Sequence, residues 1–223
     1  VRNRFVRDII GLDLDSVLCN TEYVLDKFIR EEFGVIIDWE NEVKEYALEK
    51  MPGITLDQSI ELKERVESGE VLKSIQTYNY SEHATKKLRN EGFAIAIITS
   101  RPSRLKAVTM DWLEEHDIVY DLLYCIESSK KHELIQELDI KAFVEDRFDT
   151  LESVLENCGS LDYGLYCIYH HWNKRFSNDR IVFADDIADA VDKIVEFRRW
   201  RGYFLTQCAG NIEKFIKEYQ DGK

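Results

Sequence analysis

Asp13 and Asp15 stand two residues apart in Asp13-Leu14-Asp15-Ser16-Val17-Leu18, directly after the apolar run Ile9-Ile10-Gly11-Leu12. That run is too short for a lone helix and reads as a buried strand, which puts both carboxylates at its C-terminal end. Two unpaired carboxylates beside a buried strand repel each other and lose hydration, so the arrangement calls for a cation between them or a proton to transfer. Asp is also common in the turn after a strand, and Asp-x-Asp alone leaves both readings open. Other reactive residues close or open apolar runs in the same way. Thr99-Ser100-Arg101 end the run Phe93 to Ile98, Glu145-Asp146 end Ala142-Phe143-Val144, and Lys130-Lys131 open a helical stretch. Parallel strands share one C-terminal edge, which brings Asp13, Asp15, Thr99, Glu145 and Asp146 into one neighbourhood. A lysine in the first turn of a helix opposes the macrodipole at a cost of about 0.3–1 kcal/mol unless an anion sits there, and phosphate is the obvious anion. Carboxylates for a divalent cation, a hydroxyl and an ammonium for phosphate oxygens, and a spare carboxylate as nucleophile make a metal-dependent phosphoryl-transfer site.

The elements that must position these residues follow from periodicity. Thr21 to Phe33 carries Val24, Leu25, Phe28, Ile29 and Phe33 at helical spacing and stops at Gly34. Helices are also expected at about Trp39 to Lys50 and Leu56 to Glu67, divided by Met51-Pro52-Gly53. No convincing strand occurs before residue 90, so residues 20–78 read as an all-helical insertion, a cap over the strand ends, because a crossover between parallel strands needs only one helix. From Ser81 the chain alternates. Strands are expected at Phe93 to Ile98, Tyr120 to Ile126, Ala142 to Val144, Gly164 to Tyr169 and Ile181 to Phe183. Helices are expected at Ser81 to Asn90, Ser103 to His116, Ser128 to Leu138, up to about Asn157, Asp185 to Trp200 and Asn211 to Tyr219. Such alternation predicts an α/β fold, a parallel sheet with helices on both faces, whose core is residues 1–19 and 79–223.

Composition narrows the function classes. The 223-residue chain carries a net charge of −13, which argues against coating a nucleic-acid polymer, since duplex binding draws most of its affinity from Lys and Arg on phosphates. Any phosphorylated ligand must therefore meet a local positive site. The five cysteines lack Cys-x-x-Cys spacing and read as reduced core thiols, neither disulfides nor a zinc site. No stretch reaches 18 apolar residues and no signal-peptide h-region is seen, so the expected location is the cytoplasm, away from membranes.

Four ordered motifs resemble those of the haloacid dehalogenase (HAD) superfamily of phosphohydrolases. They are Asp13-Leu14-Asp15-Ser16-Val17-Leu18, Ile97-Ile98-Thr99-Ser100-Arg101, Lys131, and Val144-Glu145-Asp146. The resemblance spans about Asp8 to Ile194 and implies a HAD-like Rossmannoid core with the cap inserted between the first two motifs. The Thr-Ser-Arg-Pro ending, Glu145-Asp146-Arg147 and Trp172-Asn173 are similar to the 5′(3′)-deoxyribonucleotidase group and its bacterial relatives. On this resemblance Asp13 is the nucleophile that forms an aspartyl-phosphate and a Mg²⁺ ligand. Asp15 is the general acid and then base, with its backbone carbonyl on the metal. Thr99, Ser100, Arg101 and Lys131 bind phosphate, and Asp146 completes the metal shell with Glu145 beside it. Glu145 departs from the usual Asp-Asp pair, which leaves the direct ligand open between Glu145 and Asp146. Mg²⁺ suits an all-oxygen site that retains waters.

Several alternatives stand beside this reading. Lys130 competes with Lys131 for the phosphate, and Arg101 suits a salt bridge as well as a substrate contact. His170 and His171 lack a third ligand and read as surface or supporting residues rather than a metal site. Trp172 suits base stacking or packing. Asp149 suits the metal loop or a helix start. The expected activity is a Mg²⁺-dependent phosphomonoesterase acting on a small phosphorylated metabolite, nucleoside or deoxynucleoside monophosphates being the favoured class. A phosphotransferase, a nucleic-acid-end phosphatase and a non-enzymatic phosphoacceptor module are the alternatives, and oligomeric state is not legible.

Overall fold

The computed structural model describes residues 7–43, 50–66 and 68–221. β1 (Ile9–Leu12) is followed by helices α1 (Thr21–Phe33), α2 (Leu56–Val66), α3 (Glu70–Ser74) and α4 (Ser81–Asn90). Then come β2 (Ala94–Thr99), α5 (Lys106–Glu115), β3 (Leu122–Cys125), α6 (Lys131–Glu137), β4 (Ile140–Glu145), α7 (Phe148–Cys158), β5 (Gly164–Ile168), β6 (Ile181–Ala184) and α8 (Ile187–Asp221). Among the described residues the six strands form one parallel sheet in the order β3-β2-β1-β4-β5-β6. β1 is central, so the carboxylates that follow it lie in the middle of the edge where ligands bind in such sheets.

One face of the sheet, including Ile10 and Leu12, packs against Leu88, Trp112 and Ile194 of α4, α5 and α8. The other, including Ile98 and Phe143, packs against Ile135, Leu151 and Val154 of α6 and α7. Burial on both faces explains why the strands read as unbroken apolar runs rather than alternating ones. Gly11 is fixed by crowding: a Cβ there would lie 2.9 Å from the Phe143 ring.

The helices before β2 have local causes. Asn20 Oδ1 accepts the Tyr23 N–H at 3.0 Å and starts α1, and Gly34, at φ 66°, ends it with its N–H on the Arg30 carbonyl. Thr55 and Gln58 exchange side-chain and backbone hydrogen bonds, a reciprocal cap that opens α2. These helices share a small core of Leu25, Ile29, Ile37, Val43, Met51 and Leu62, joined by Trp172 from the loop after β5.

Two expected helices differ. Residues 39–42 form turns, and residues 44–49 lie outside the described residues. The Asp38 carboxylate accepts the Asn41 N–H, and Glu42 Oε2 accepts the Asp38 N–H, so side chains take the backbone bonds a helix would use. At the other end α8 runs unbroken to Asp221, where two helices separated near residues 201–210 were expected. Gly202 and Gly210 cost a helix only about 1 kcal/mol each, too little to stop it.

Candidate active site

The loops after β1, β2 and β4 and the start of α6 converge on one cavity of about 240 Å³, lined at its base by Asp13, Asp15, Arg101, Lys131, Glu145 and Asp146. Asp13 is held in place from its backbone, whose N–H donates to the Val144 carbonyl at 2.9 Å across the β1–β4 ladder. Lys131 enters from the first residue of α6 and is 2% exposed. Its Nζ donates to Asp13 Oδ1 at 2.5 Å and to Glu145 Oε2 at 2.8 Å. The anions that compensate this lysine at a helix start are therefore the protein's own carboxylates. Burial would lower its pKa, but Asp13 and Glu145 outweigh that and push it up, so it is an ammonium. Lys130 is exposed and faces Glu127 at 3.7 Å, which selects Lys131 as the lysine of this cavity.

The two candidates for the metal-side carboxylate are now distinct. Glu145 uses both oxygens, Oε2 on Lys131 and Oε1 on the N–H groups of Asp146 and Arg147. Asp146 is 3% exposed, and its Oδ2 has no hydrogen-bond partner. Carboxylate oxygens of Asp13, Glu145 and Asp146 lie within 4.8 Å of one another. Burial, and next the charge of Glu145, push the Asp13 carboxyl up to about 7. The same causes, in the same order, hold Asp146 well above the usual carboxylate range. Buried carboxylates in this state, one with an orphaned oxygen, fit a divalent cation of the oxygen-seeking kind.

Asp15 is turned elsewhere and adds no side-chain oxygen to that cluster. Arg101 donates from Nε to Asp15 Oδ2 at 2.9 Å and from Nη2 to Oδ1 at 2.8 Å, and Thr21 Oγ1 donates to Oδ1 at 2.7 Å. Burial would raise this carboxyl, but Arg101, Thr21 and Cys19 outweigh it and hold it below the ordinary value. Thr99 is fully buried, its hydroxyl 3.5 Å from Asp15 Oδ2 and accepting the Arg101 N–H at 3.2 Å, while Ser100 stands exposed at the cavity rim.

Similarity to known proteins is low in sequence and extensive in fold. No family model matches the chain. It is 22% identical over 200 residues to a nucleotidase of Clostridium acetobutylicum, covering 84% of this chain and 95% of that protein. A haloacid dehalogenase-like family hydrolase of Streptococcus pneumoniae superposes with a TM-score of 0.56 at 12% identity, covering 79% of this chain and 93% of the other. CbbY of Rhodobacter sphaeroides, solved in complex with phosphate, gives 0.54 at 14% identity over 82% and 96%. The fold is that of the haloacid dehalogenases.

Within this haloacid dehalogenase fold, the expected site residues from the first, second, third and fourth motifs all line or border one cavity. Arg101 is buried as the partner of Asp15, so the salt-bridge alternative describes its place here. Asp149 is exposed, pairs with Arg147 at 2.6 Å and lies outside the acidic cluster. Trp172 is 3% exposed and sandwiched with His170, which rules out its face as a stacking platform. Thr21, Lys63 and Asn173 escaped the sequence reading. Thr21 carried a detectable signal, a hydroxyl at the start of the first helix after the aspartates; the other two carried none. Tyr23 and Trp39, the large side chains of the expected cap, line a separate cavity with Glu22 and Asp26. Among the described residues no helix is long and apolar enough to cross a membrane.

Proposed function

We propose that this chain is a Mg²⁺-dependent phosphomonoesterase working through an aspartyl-phosphate on Asp13, with residues 20–78 acting as its cap. The observation that carries the reading is Lys131 bridging Asp13 and Glu145 beside the unpartnered Asp146 oxygen. The charge count supports it. The cavity is lined by Asp13, Asp15, Glu145 and Asp146 against Lys63, Arg101, Lys131 and Arg147, formally neutral. A divalent cation leaves it doubly positive, the complement of a phosphomonoester dianion.

Asp13 and Asp146 would hold the ion through their side chains, with the Asp15 backbone carbonyl and the nearby Glu145 completing the set. When bound, Mg²⁺ supplies charge neutralisation at the phosphoryl oxygens. Asp13 attacks phosphorus while the bond to the leaving oxygen breaks. Lys131 offsets the charge gathered between Asp13 and phosphate, and Thr99 and Ser100 offer hydroxyls to its oxygens. Asp15 as held by Arg101 and Thr21 is a carboxylate, suited to taking the proton of the water that splits the aspartyl-phosphate. To protonate the leaving alcohol it must first gain a proton and turn from Arg101 toward the substrate.

Nucleoside or deoxynucleoside monophosphates are the favoured substrates, supported by the name of the Clostridium relative and by the motif resemblance. A base entering the cavity would lie on Leu25, Val66, Leu72 and Leu105, since no aromatic side chain lines it. The test is multiple-turnover release of inorganic phosphate from a panel of phosphorylated metabolites with Mg²⁺. Transfer of one phosphoryl group per chain and no more would replace this reading with a phosphoacceptor module.

A further inference from the structure

The loop that leaves β5, residues 169–173, plays no part in the reaction above, yet it touches both catalytic loops. Asn173 is 1% exposed, and its carboxamide is fully engaged. Nδ2 donates to the carbonyl of Asp146 at 2.8 Å and to that of Ile168 at 2.7 Å, and Oδ1 accepts the His170 N–H at 2.9 Å. His170 reaches the other way, its Nε2 lying 2.8 Å from the carbonyl of Ser16. A carbonyl only accepts, so Nε2 carries the hydrogen. Burial pushes this imidazole down to about 4, so the ring is neutral near pH 7. The ring lies on Trp172, centroids 4.2 Å apart and planes 7° from parallel, which fixes its direction. Ser16 is no ordinary anchor. It follows Asp15 in a left-handed conformation, φ 61°, uncommon for a residue with a side chain.

One short loop thus holds the peptide of Asp146 with one hand and the turn after Asp15 with the other. We propose that Asn173 and His170 are positioning residues that set the separation of the Asp13 and Asp146 carboxylates and thereby the affinity for the divalent cation. The inference rests on the metal-dependent reading, with Asp13 and Asp146 as ligands. Packing alone would give the loop a role in stability and none in metal affinity. Partners that orient ligating groups typically shift metal affinity by about 10–100-fold.

The experiment is Mn²⁺ binding to the full chain without substrate, followed by the loss of the free-ion electron paramagnetic resonance signal, beside thermal unfolding of each variant. His170→Phe keeps a flat ring on Trp172 and removes the donor to Ser16; His170→Gln restores a donor. Asn173→Ala releases Asp146. The expected result is about tenfold weaker binding or more for His170→Phe and Asn173→Ala, partial recovery in His170→Gln, and loss in Asp146→Asn. Folded variants that bind Mn²⁺ as the wild type does would overturn the inference while leaving the metal site standing. A wild type that binds no Mn²⁺ would overturn the metal reading itself. Should Asn173→Ala not fold, the two His170 variants decide the matter.

Discussion

Arg101 holds Asp15 in a forked ion pair, Nε to Oδ2 at 2.9 Å and Nη2 to Oδ1 at 2.8 Å, with the guanidinium buried and the carboxylate 26% exposed. The fork is why Asp15 stays ionised although burial works against it. A carboxylate held below its unfolded pKa contributes stability above that value and loses the contribution as pH falls through its folded pKa. Arg101→Ala is therefore expected to lower the melting temperature more at about pH 7 than at about pH 3. Breaking one side of a buried pair costs about 3–5 kcal/mol, less here because Asp15 keeps some water contact. An equal loss at both pH values would show that the fork does not set the state of Asp15.

Asp13→Asn should abolish turnover by several orders of magnitude and, in metal-free protein, raise stability. The second half follows from Asp13's displacement up to about 7 by burial and Glu145: above that pH the buried charge is a burden that an amide relieves, and Lys131 keeps Glu145. Melting curves at about pH 8 in chelator check it, and a less stable Asp13→Asn would contradict the electrostatic account. Asp15→Asn should lose about 10²–10⁴-fold on alkyl phosphates and much less on esters with good leaving groups.

Metal-free wild type should lose stability as pH rises from about 4 to about 7 and change little beyond. The sign follows from a carboxyl whose folded pKa is raised: the folded state binds the extra proton in that window, so raising the pH favours unfolding. Mg²⁺ binds the ionised form and should remove the decline. Ca²⁺ should also stabilise but inhibit turnover, its looser coordination spoiling in-line attack. Full activity in excess chelator would refute metal dependence.

Lys63→Ala and Val66→Ala should alter KM and the ranking of metabolites more than turnover of a small generic phosphate ester, because only the whole substrate reaches the cap wall that these residues and Leu25 form. Tyr23→Ala should leave the ranking unchanged, since Tyr23 faces the separate cavity. The reverse pattern would place specificity on the aromatic side of the cap.

Much of this was legible before any coordinates. Strands buried on both faces announce themselves as apolar runs, and a parallel sheet gathers whatever polar residues follow them, so Asp13, Thr99 and Asp146 could be brought together from chain order alone. Partner choice could not. Whether Arg101 meets a substrate or Asp15, and whether Glu145 serves a metal or Lys131, depends on side-chain reach across loops from different strands. The Asp38 turns were missed because the acidic run 38–42 has the composition of a solvated helix face, while its carboxylates bond to nearby N–H groups. Asn173 was unreadable for a similar reason: its partners are carbonyls, and any residue supplies one.

β1 is made before every other strand yet lies in the middle of the sheet, with Gly11 opposite Ala96 on one flank and Phe143 on the other. A chain growing from its N-terminus therefore carries the nucleophile strand with both ladder edges open until β2 emerges, and with one edge open until β4 does. Non-local pairing of this kind is slow, and unpaired apolar strands invite association with other chains. Fragments ending between β2 and β4 should accordingly aggregate, whereas fragments that reach Ile168 can close both flanks of β1.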